Sequence, residues 1–532
     1  MICFKKIMAT CLLAFLSLMA VLTTPVLAAE EKPKPQTLFT NCNVFDGKAD
    51  KLAKGQNVLV ESNLIKEIGD KDLKGAEDAK VINCDGLTLM PGLIDSHTHF
   101  YLSMGGGRIG MENSRWDLFP AMGAAAAQEW FADGFTTVRD MGGMHDGLRT
   151  VIDQGLLEGP RIYLAGSTIS QTSGHGDTLL AGQTDPSENN LARLGLFVIA
   201  DGPEGVRKAV RQTFSYGSTI VKIMMGGGVA GAKSPMFAPQ FTDEEITAAV
   251  EEATARDVYV SAHIYTDKEI QRALRLGVKT IEHGQFISEE SAMLLKEKGG
   301  FISPFLASVV SDEIFNHPVF GDPNSFEYPR VVEMKENAKD FVAIMQKVRP
   351  KMVFSSDIVN SSGVPARQHR DHEKWVFADK FGNFEALKAM TSVGGELALE
   401  SGRSNPYPNK LGVIEEGAYA DILLVDGNPL EDITVIGGNS NWFDAEPRAR
   451  GIESIKLIMK DGKIYKNTLG QIPERKKAGT DRPIKSAALS ADLLNLTTTP
   501  GPSFHFCAIH QSYHSMGGNV PFAGLRPQMS SD

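Results

Sequence analysis

Six residues with the chemistry of metal ligands stand at or near the ends of short apolar runs. They are His97, His99, Lys222, His263, His283 and Asp357. Singly, a histidine on a strand is more often a hydrogen-bonded core or surface group, and a strand lysine usually extends its ammonium group to solvent. The pair His97 and His99 is more informative, because residues i and i+2 of a strand face the same side. Together, the six predict two adjacent divalent metals, which can activate water to hydrolyse amide-like bonds.

The chain around these residues alternates between strand and helix patterns, which is typical of α/β proteins. Eight runs predict strands, at residues 89–100, 136–141, 161–167, 219–225, 258–264, 278–283, 301–306 and 352–357. Helical patterns separate most of them, and the helix predicted at 242–256 begins with Thr242 as N-cap. Eight such units predict a (β/α)8 TIM barrel, with active-site residues at the carboxyl ends of the strands. The six residues follow the first, fourth, fifth, sixth and eighth predicted strands.

Short strand patterns at both ends of the chain predict a smaller module. They lie at residues 37–45, 57–68 and 80–84 before the barrel and at 421–425 and 455–465 after it. These patterns favour a small β-sandwich domain built from both chain ends. The predicted boundaries are 29–88 and 411–470 for the sandwich, 89–410 for the barrel and 471–532 for a linker and irregular tail.

The first 28 residues have the pattern of a secretory signal peptide. Lys5 and Lys6 precede an apolar run, and Val26 and Ala28 are small residues at the expected cleavage positions. This predicts a secreted or periplasmic protein. A membrane anchor ranks second, because the run is short and ends at Pro25. No later segment is apolar enough to span a bilayer, so no stable membrane insertion is expected after signal removal.

Charge and cysteine content limit the partners and the compartment. The 532 residues carry a formal net charge of −11 and no basic cluster, which argues against nucleic acid as a partner. A small-molecule or dipeptide substrate fits better, and a homo-oligomer is compatible with the sequence. Cys42 and Cys84 both fall in the small module, where either a disulfide or two buried free thiols would fit.

Several motifs resemble those of the amidohydrolase superfamily, binuclear metal type. The matching stretches are residues 90–99, 281–284, 355–357 and 412–429, within a similarity that covers nearly the whole mature chain. Loops similar to one branch lie at 170–177, 226–235 and 240–245. That imidazolonepropionase-related branch includes Xaa-Pro and Xaa-Arg dipeptidases and ochratoxin-type amidases. The resemblance implies a metal-dependent amidohydrolase that cleaves the amide bond of dipeptides or N-acyl amino acids by a metal-bridged hydroxide.

The resemblance also implies a division of the ligands between two divalent metal ions, expected to be Zn2+. His97 and His99, with Asp357, would hold the more buried ion. His263 and His283 would hold the second. Asp357 would also act as the catalytic group that takes the proton from the attacking hydroxide and passes it to the leaving amine.

Lys222 has a special role in such a site. The resemblance implies that its amine reacts with CO2 to give a carbamate that bridges the two ions. A free ammonium beside two dications would be repelled, whereas a carbamate supplies anionic oxygen ligands. Imidazolonepropionases lack this lysine and use one metal, so Lys222 argues against that activity.

Two further residues are candidates for contact with substrate. Tyr265 lies two residues past His263 and therefore faces the same side of the strand. Related dipeptidases place a tyrosine near this point, where it contacts the substrate carbonyl. His175, in the loop after the third strand, could equally bind substrate or pack the loop. Arg139 and Lys233 could pair a substrate carboxylate, but neither has a position in the sequence that selects it. Histidines without strand-end positions are assigned to the surface or to loops, namely His145, His317, His369 and His372.

Three other functions stay open at this point. A cyclic-amide or lactone hydrolase could use the same metals. A deaminase of the superfamily is disfavoured, because such enzymes usually use one metal and do not need Lys222. A non-catalytic secreted binding protein belongs to a different class, and the presence of all six ligands argues against it.

Overall fold

A computed structural model describes residues 34–180, 182–185, 188–231, 233–317 and 320–470. The predicted signal peptide and the predicted linker and tail lie outside these residues. The strands are β1 Gln36–Val44, β2 Ala53–Glu61, β3 Leu64–Gly69, β4 Lys80–Asn83, β5 Thr88–Pro91, β6 Leu93–Thr98, β7 Phe135–Asp140, β8 Arg161–Leu164, β9 Thr168–Ser170, β10 Phe197–Ile199, β11 Val221–Met224, β12 Val260–Thr266, β13 Thr280–Phe286, β14 Phe301–Ser303, β15 Lys351–Met352, β16 Ile422–Val425, β17 Ile455–Lys460 and β18 Lys463–Asn467.

Helices lie between most of these strands. The α-helices are α1 Gly107–Glu112, α2 Leu118–Ala132, α3 Gly147–Asp153, α4 Asn190–Arg193, α5 Gly202–Ser215, α6 Asp243–Thr254, α7 Asp267–Arg275, α8 Glu289–Glu297, α9 Ala307–Val310, α10 Tyr328–Asn337, α11 Phe341–Val348, α12 Gly363–Phe381, α13 Asn383–Ala389 and α14 Ser392–Leu399. Short 3-10 turns lie at Phe100–Leu102, Asp312–Asn316, Gly402–Ser404 and Ile433–Ile436. Thr242 caps α6 as predicted, in a reciprocal capping box with Glu245. Within the described part of the chain, no helix has the length and apolar character to cross a bilayer.

Two sheets carry the strands predicted for the barrel, and all of their pairings are parallel. One has the order β6-β7-β8, and the other has the order β10-β9-β11-β12-β13-β14-β15. Backbone hydrogen bonds connect them: Ser96 N–H donates to Phe354 O at 2.9 Å, and Thr219 N–H donates to Leu164 O at 2.8 Å. Parallel strands alternating with helices are the α/β arrangement that the sequence predicts. Closure into an eight-stranded barrel stays a prediction.

The inner strands are buried along their whole length. Every residue of β6, β7 and β11 is buried, as expected for parallel strands that are covered on both faces. A polar side chain on such a strand needs a hydrogen-bond partner or a bound ion. Asp95 on β6 and Lys222 on β11 are therefore informative exceptions to the apolar pattern.

The predicted strand at 89–100 is wrong in its extent, because it contains two strands that belong to different sheets. β5 pairs antiparallel with β16 in the small module, whereas β6 pairs with β7. The chain changes sheet at Gly92, where a Cβ atom would lie 2.0 Å from Oγ1 of Thr136. Only glycine fits so close to the neighbouring strand. The predicted strand at 352–357 is also too long, since β15 ends at Met352.

A third sheet contains strands from both ends of the described chain. Its order is β18-β17-β16-β5-β1-β2-β3, with β4 paired to β1 on the side. A separate apolar core that includes Phe39, Val58 and Leu424 packs against it. A sandwich of two layers stays a prediction. Parallel pairing of β1 with β4 brings Cys42 and Cys84 together in a disulfide bond, with Cα atoms 5.0 Å apart.

We expect the double variant Cys42→Ser/Cys84→Ser to lose about 2–4 kcal/mol of unfolding free energy. The bond joins residues separated by 42 positions, so its loss frees a long loop in the unfolded chain. Urea denaturation of both proteins measures the difference. Cys507→Ser, which changes a cysteine outside the described residues, is the control and should match wild type. Equal stability of the double variant and wild type would contradict this account.

Candidate metal centre

Four of the six predicted ligands converge, at the end of β6, in the middle of β13 and in the segment after β15. The Nε2 atoms of His97 and His99 lie 3.2 Å apart. Oδ1 of Asp357 lies 3.3 Å from the first and 3.4 Å from the second. Nδ1 of His283 lies 3.8 Å from the other carboxylate oxygen of Asp357. Parallel strands therefore bring residues that are distant in sequence into one site.

The hydrogen-bond partners of His97 and His99 bind the Nδ1 atoms and leave unprotonated Nε2 atoms facing this space. Nδ1 of His97 lies 2.7 Å from the Glu282 carboxylate, and Nδ1 of His99 lies 3.0 Å from the carbonyl oxygen of Gly142. Both partners can only accept, so each Nδ1 donates, and a neutral ring then has no proton on Nε2. Two bare nitrogens beside a carboxylate repel one another unless a cation lies between them. The donor set therefore fits a divalent metal ion.

The pKa shifts of His97, His283 and Asp357 favour the protonation states that metal ligands need, whereas that of His99 does not. Burial lowers the pKa of His97 to about 4 and that of His283 to about 3, so both rings are neutral. Burial also acts to lower the pKa of His99, but Asp357 and Asp140 outweigh it and raise that pKa. Burial alone would raise the pKa of Asp357, yet the neighbouring histidines hold it well below its usual range. The site thus combines anionic oxygen with neutral nitrogen and attracts positive charge.

Two of these residues have a backbone conformation that side chains with a Cβ rarely adopt. The φ angle is +73° at His283 and +46° at Asp357, in the left-handed region, which costs roughly 1–2 kcal/mol per residue. The backbone N–H of Asp357 donates to the carbonyl oxygen of His97 at 2.9 Å and holds that turn against β6. Strain of this kind persists where the surrounding structure fixes it, often at functional sites. Here it directs two ligands into the same space.

Glu282 is a functional residue that the sequence interpretation missed. Its buried carboxylate accepts hydrogen bonds from Arg139 Nη2 at 2.7 and 2.8 Å, from Ser261 Oγ at 2.7 Å and from Thr280 Oγ1 at 2.8 Å. It also binds Nδ1 of His97. Burial would raise the pKa of Glu282, but Arg139 and His97 hold it well below its usual range. This anion therefore fixes the ring orientation of a predicted ligand, and Arg139 pairs with it rather than with substrate.

Strand alternation explains why Glu282 was missed. Neighbouring residues of a regular strand point to opposite faces, so a ligand at His283 implies that Glu282 points away from the site. The positive φ at His283 breaks that alternation. Glu282 binds the His97 ring, and the His283 ring lies with its centroid 5.4 Å from that of His97. The one signal in the sequence was an acidic residue inside an apolar run.

His263 and His175 form the other half of the site. The ring centroid of His263 lies 4.5 Å from that of His283 and 4.1 Å from that of His175, on which it stacks. Nε2 of His263 donates to the carbonyl oxygen of Gly227 at 3.1 Å, which leaves Nδ1 of a neutral ring bare. Nδ1 of His175 is buried and has no hydrogen-bond partner within the described ranges. A Cβ at Gly228 would lie 2.3 Å from Cε1 of His175, so this loop requires glycine.

Lys222 and Tyr265 are both buried near these groups. Burial lowers the pKa of Lys222 to about 8, although Glu282 and Asp357 act in the opposite direction. Tyr265 stacks on His283 with ring centroids 5.2 Å apart and 5° between the planes. Burial raises the pKa of Tyr265 and Asp357 adds to the shift, so the hydroxyl keeps its proton and can donate a hydrogen bond.

Two histidines assigned to the surface or to loops are placed differently by the structure. His369 is half-buried and His372 is buried, and both lie on α12. That assignment was wrong because strand-end position was its only criterion. A helix that follows the last strand of the parallel sheet can also present side chains near a strand end.

Comparisons with known proteins agree on one family. Residues 88–465 match the Amidohydrolase family. Ochratoxinase from Aspergillus niger is 31% identical over 405 residues, which cover 71% of this chain and 75% of the relative. A crystal structure of a prolidase complexed with N-methylphosphonate-L-proline is 32% identical, with a TM-score of 0.71, and covers 81% of this chain and 100% of that one. A Xaa-Pro dipeptidase with bound methionine is 26% identical, with a TM-score of 0.67 and coverage of 81% and 100%.

We expect Glu282→Gln to weaken metal binding by about 10–100-fold, because the His97 ring loses the anion that orients it. The unfolding free energy should also fall, since Arg139 is left as a buried charge without its anionic partner. Competition against a chelating indicator measures the affinity. Ser261→Ala is the matched control, because it removes one hydrogen bond to Glu282 but keeps the charge. Wild-type affinity in a folded Glu282→Gln protein would show that the carboxylate does not support the site.

Proposed function

Because the chain belongs to the amidohydrolase family, we propose that it is a metal-dependent amidase that cleaves dipeptides or N-acyl amino acids. Family membership also supports two broader conclusions. The protein is a hydrolase that acts on carbon–nitrogen bonds, and its α/β fold is of the TIM-barrel type. The observation that carries the narrower proposal is the convergence of three histidines and Asp357 around one space, with bare nitrogen and carboxylate oxygen atoms facing it.

The donor atoms support a site for two divalent ions. His97, His99 and Asp357 would hold one ion, and His263 and His283 would hold the other. We propose Zn2+, because imidazole nitrogen and carboxylate oxygen suit it. When bound, such ions lower the pKa of water and polarise an amide carbonyl.

We assign Lys222 to the bridge between the two ligand groups. Its amine nitrogen would form a bond to the carbon of CO2 and release a proton, which gives a carbamate with two anionic oxygens. The buried position of Lys222 supports this role, because burial disfavours the charged ammonium and a carbamate would offer oxygen ligands to the metal ions instead.

Asp357 and Tyr265 are the residues that we assign to proton transfer and carbonyl activation. Asp357 is ionised and contacts both ligand histidines of the first ion, so it can accept a proton from the attacking water and deliver it to the leaving nitrogen. The protonated hydroxyl of Tyr265 can donate a hydrogen bond to the oxygen of the scissile carbonyl.

His175 is the group that we assign to substrate binding. Burial lowers its pKa to about 4, so the ring is neutral. Its buried Nδ1 atom, which lacks a partner among the described residues, is free for a hydrogen bond to substrate. The ligands named in two related structures are a proline derivative and methionine, and both carry an amino-acid carboxylate. These observations support a substrate with a free carboxylate next to the leaving nitrogen.

A substrate panel tests the proposed function. The full chain, loaded with Zn2+, should hydrolyse dipeptides and N-acyl amino acids. It should lose at least about tenfold in kcat/KM when the free carboxylate is converted to an amide, because a buried partner is then left unpaired. Absence of hydrolysis of every compound in the metal-loaded protein would refute the function. Equal rates on acid and amide forms would shift the substrate class to neutral lactams or lactones.

Lys222→Ala should remove most of the bound metal and nearly all activity, because the bridging anion is lost. Metal content by elemental analysis and turnover on the best panel substrate measure the effect. Partial rescue by a short carboxylic acid would support the carbamate. Lys233→Ala changes an exposed lysine of the adjacent loop and is the control. Full metal content and activity in the Lys222→Ala protein would exclude the bridge.

Asp357→Asn should lower kcat by at least about 10²-fold while part of the metal remains bound, because the amide cannot take the proton but still offers an oxygen ligand. Asp322→Asn, on an exposed loop, is the matched control and should be as active as wild type. Metal content and kcat should be measured on the same preparations. Wild-type turnover in Asp357→Asn would assign the proton transfer to another group.

A further inference from the structure

A continuous set of rings in contact, two pairs of them stacked, lies outside the metal centre, and we call it the aromatic wall. Its members are Phe305, His369, Trp442, Phe443, His317 and Phe320. Successive ring centroids along this order are 4.7, 4.9, 4.6, 5.6 and 4.4 Å apart. Trp442 is buried, whereas the other five rings are half-buried. Trp442 belongs to the main apolar core, and Phe305, Phe320 and Phe443 pack against that core, so the wall is a partly exposed edge of it.

The wall begins next to the metal centre. β14 pairs with β15 in parallel, with Ile302 opposite Met352. Phe305 therefore leaves the sheet close to the segment that carries Asp357. His369 packs on Phe305, and the Asp357 carboxylate is close enough to act on the ionisation of His369. The wall thus extends outward from the proton-transfer group that we propose.

Two acidic side chains hold the backbone of the wall in place. Glu373, one turn after His369 on α12, accepts the backbone N–H groups of Leu306 and Ala307 at 2.8 and 2.7 Å. Glu313 accepts the N–H groups of Trp442 and Phe443 at 2.7 and 3.2 Å. These bonds fix loops from three separate parts of the chain relative to one another. The rings are therefore prearranged, and a planar ligand would not have to order them on binding.

One polar atom of the wall lacks a partner. Nε2 of His369 is buried and has no hydrogen-bond partner in the described part of the chain. A buried polar atom without a partner costs free energy, and such atoms are often completed by a ligand or a water molecule. An aromatic surface with a single unpaired nitrogen fits a ligand that is mostly planar and apolar and has one polar atom near its ring.

We propose that the aromatic wall binds an aromatic ring of the substrate and makes the enzyme selective for amides with an aromatic side chain or acyl group. The inference rests on the proposed amidase function, because it places the ring beside the scissile bond. Stacking on the wall, together with burial of its half-exposed ring faces, would raise kcat/KM for the aromatic substrate by about tenfold or more over its alanine analogue.

The experiment compares Ala-Phe, Phe-Ala and Ala-Ala with the Zn2+-loaded full chain. The variants are Phe443→Leu and His369→Leu, and either one suffices if the other fails to fold. Phe384→Leu is the matched control, because Phe384 is a half-buried ring on α13 outside the wall. Binding of L-phenylalanine and L-alanine by calorimetry is measured in parallel, so that the test does not depend on turnover.

In wild type and in Phe384→Leu, we expect at least one phenylalanine dipeptide to exceed Ala-Ala by about tenfold in kcat/KM. Each wall variant should reduce that ratio to below about threefold while metal content is unchanged. A wild-type ratio near one, or an unchanged ratio in both wall variants, would overturn the proposal. If no dipeptide is hydrolysed, the proposed function fails and calorimetry decides this inference. Preference for phenylalanine that is lost in the wall variants supports it, and equal binding of both amino acids overturns it.

Discussion

The buried anion of Glu282 is the group on which the order of the metal centre depends. It joins Arg139 on β7, Ser261 on β12 and His97 on β6, and so connects three strands through one carboxylate. Its charge is stable inside the sheet because a guanidinium and two hydroxyl groups satisfy its oxygens. The His97 ring then has one possible orientation, which determines where the bare Nε2 atom lies. His99 and Asp357 both contact that Nε2 atom, so its position determines whether the three side chains can share one metal ion.

Four of the residues that the sequence selects converge in the structure, whereas the extent of two predicted strands is wrong. His97 could be selected because His99, two residues later, faces the same side of the strand, whereas a single histidine on a strand carries little information. The ends of strands are less certain, because hydrogen-bonded pairing is decided by neighbours that are distant in sequence. The run at 89–100 shows this: its apolar character is continuous, but its two halves pair with different sheets. Nothing local to the run except Gly92 marks the change.

The residues that sequence reasoning missed share a physical cause. Glu282 is near the site because φ at His283 is positive. The alternation of side chains along a regular strand does not predict such a backbone angle. His369 is near the site because α12 packs against α9, which follows β14, and helix docking depends on contacts that are remote in sequence. The coordinates of the site therefore come from tertiary packing, whereas the chemical types of its ligands can be read from the chain.

The chain runs directly from β5 in the small sheet to β6 in a parallel sheet, and this affects the order in which the strands can pair during synthesis. β5 lies between β1 and β16 in the small sheet, and β16 is synthesised after the whole set of parallel strands. A nascent chain therefore carries β5 with one edge open until its last partner emerges from the ribosome, and such an edge can pair with another chain. His97 and His99 follow that edge directly. A chain that stops before β16 therefore leaves this edge of β5 unpaired and prone to association with other chains, even where β6, which carries His97, has already paired with β7.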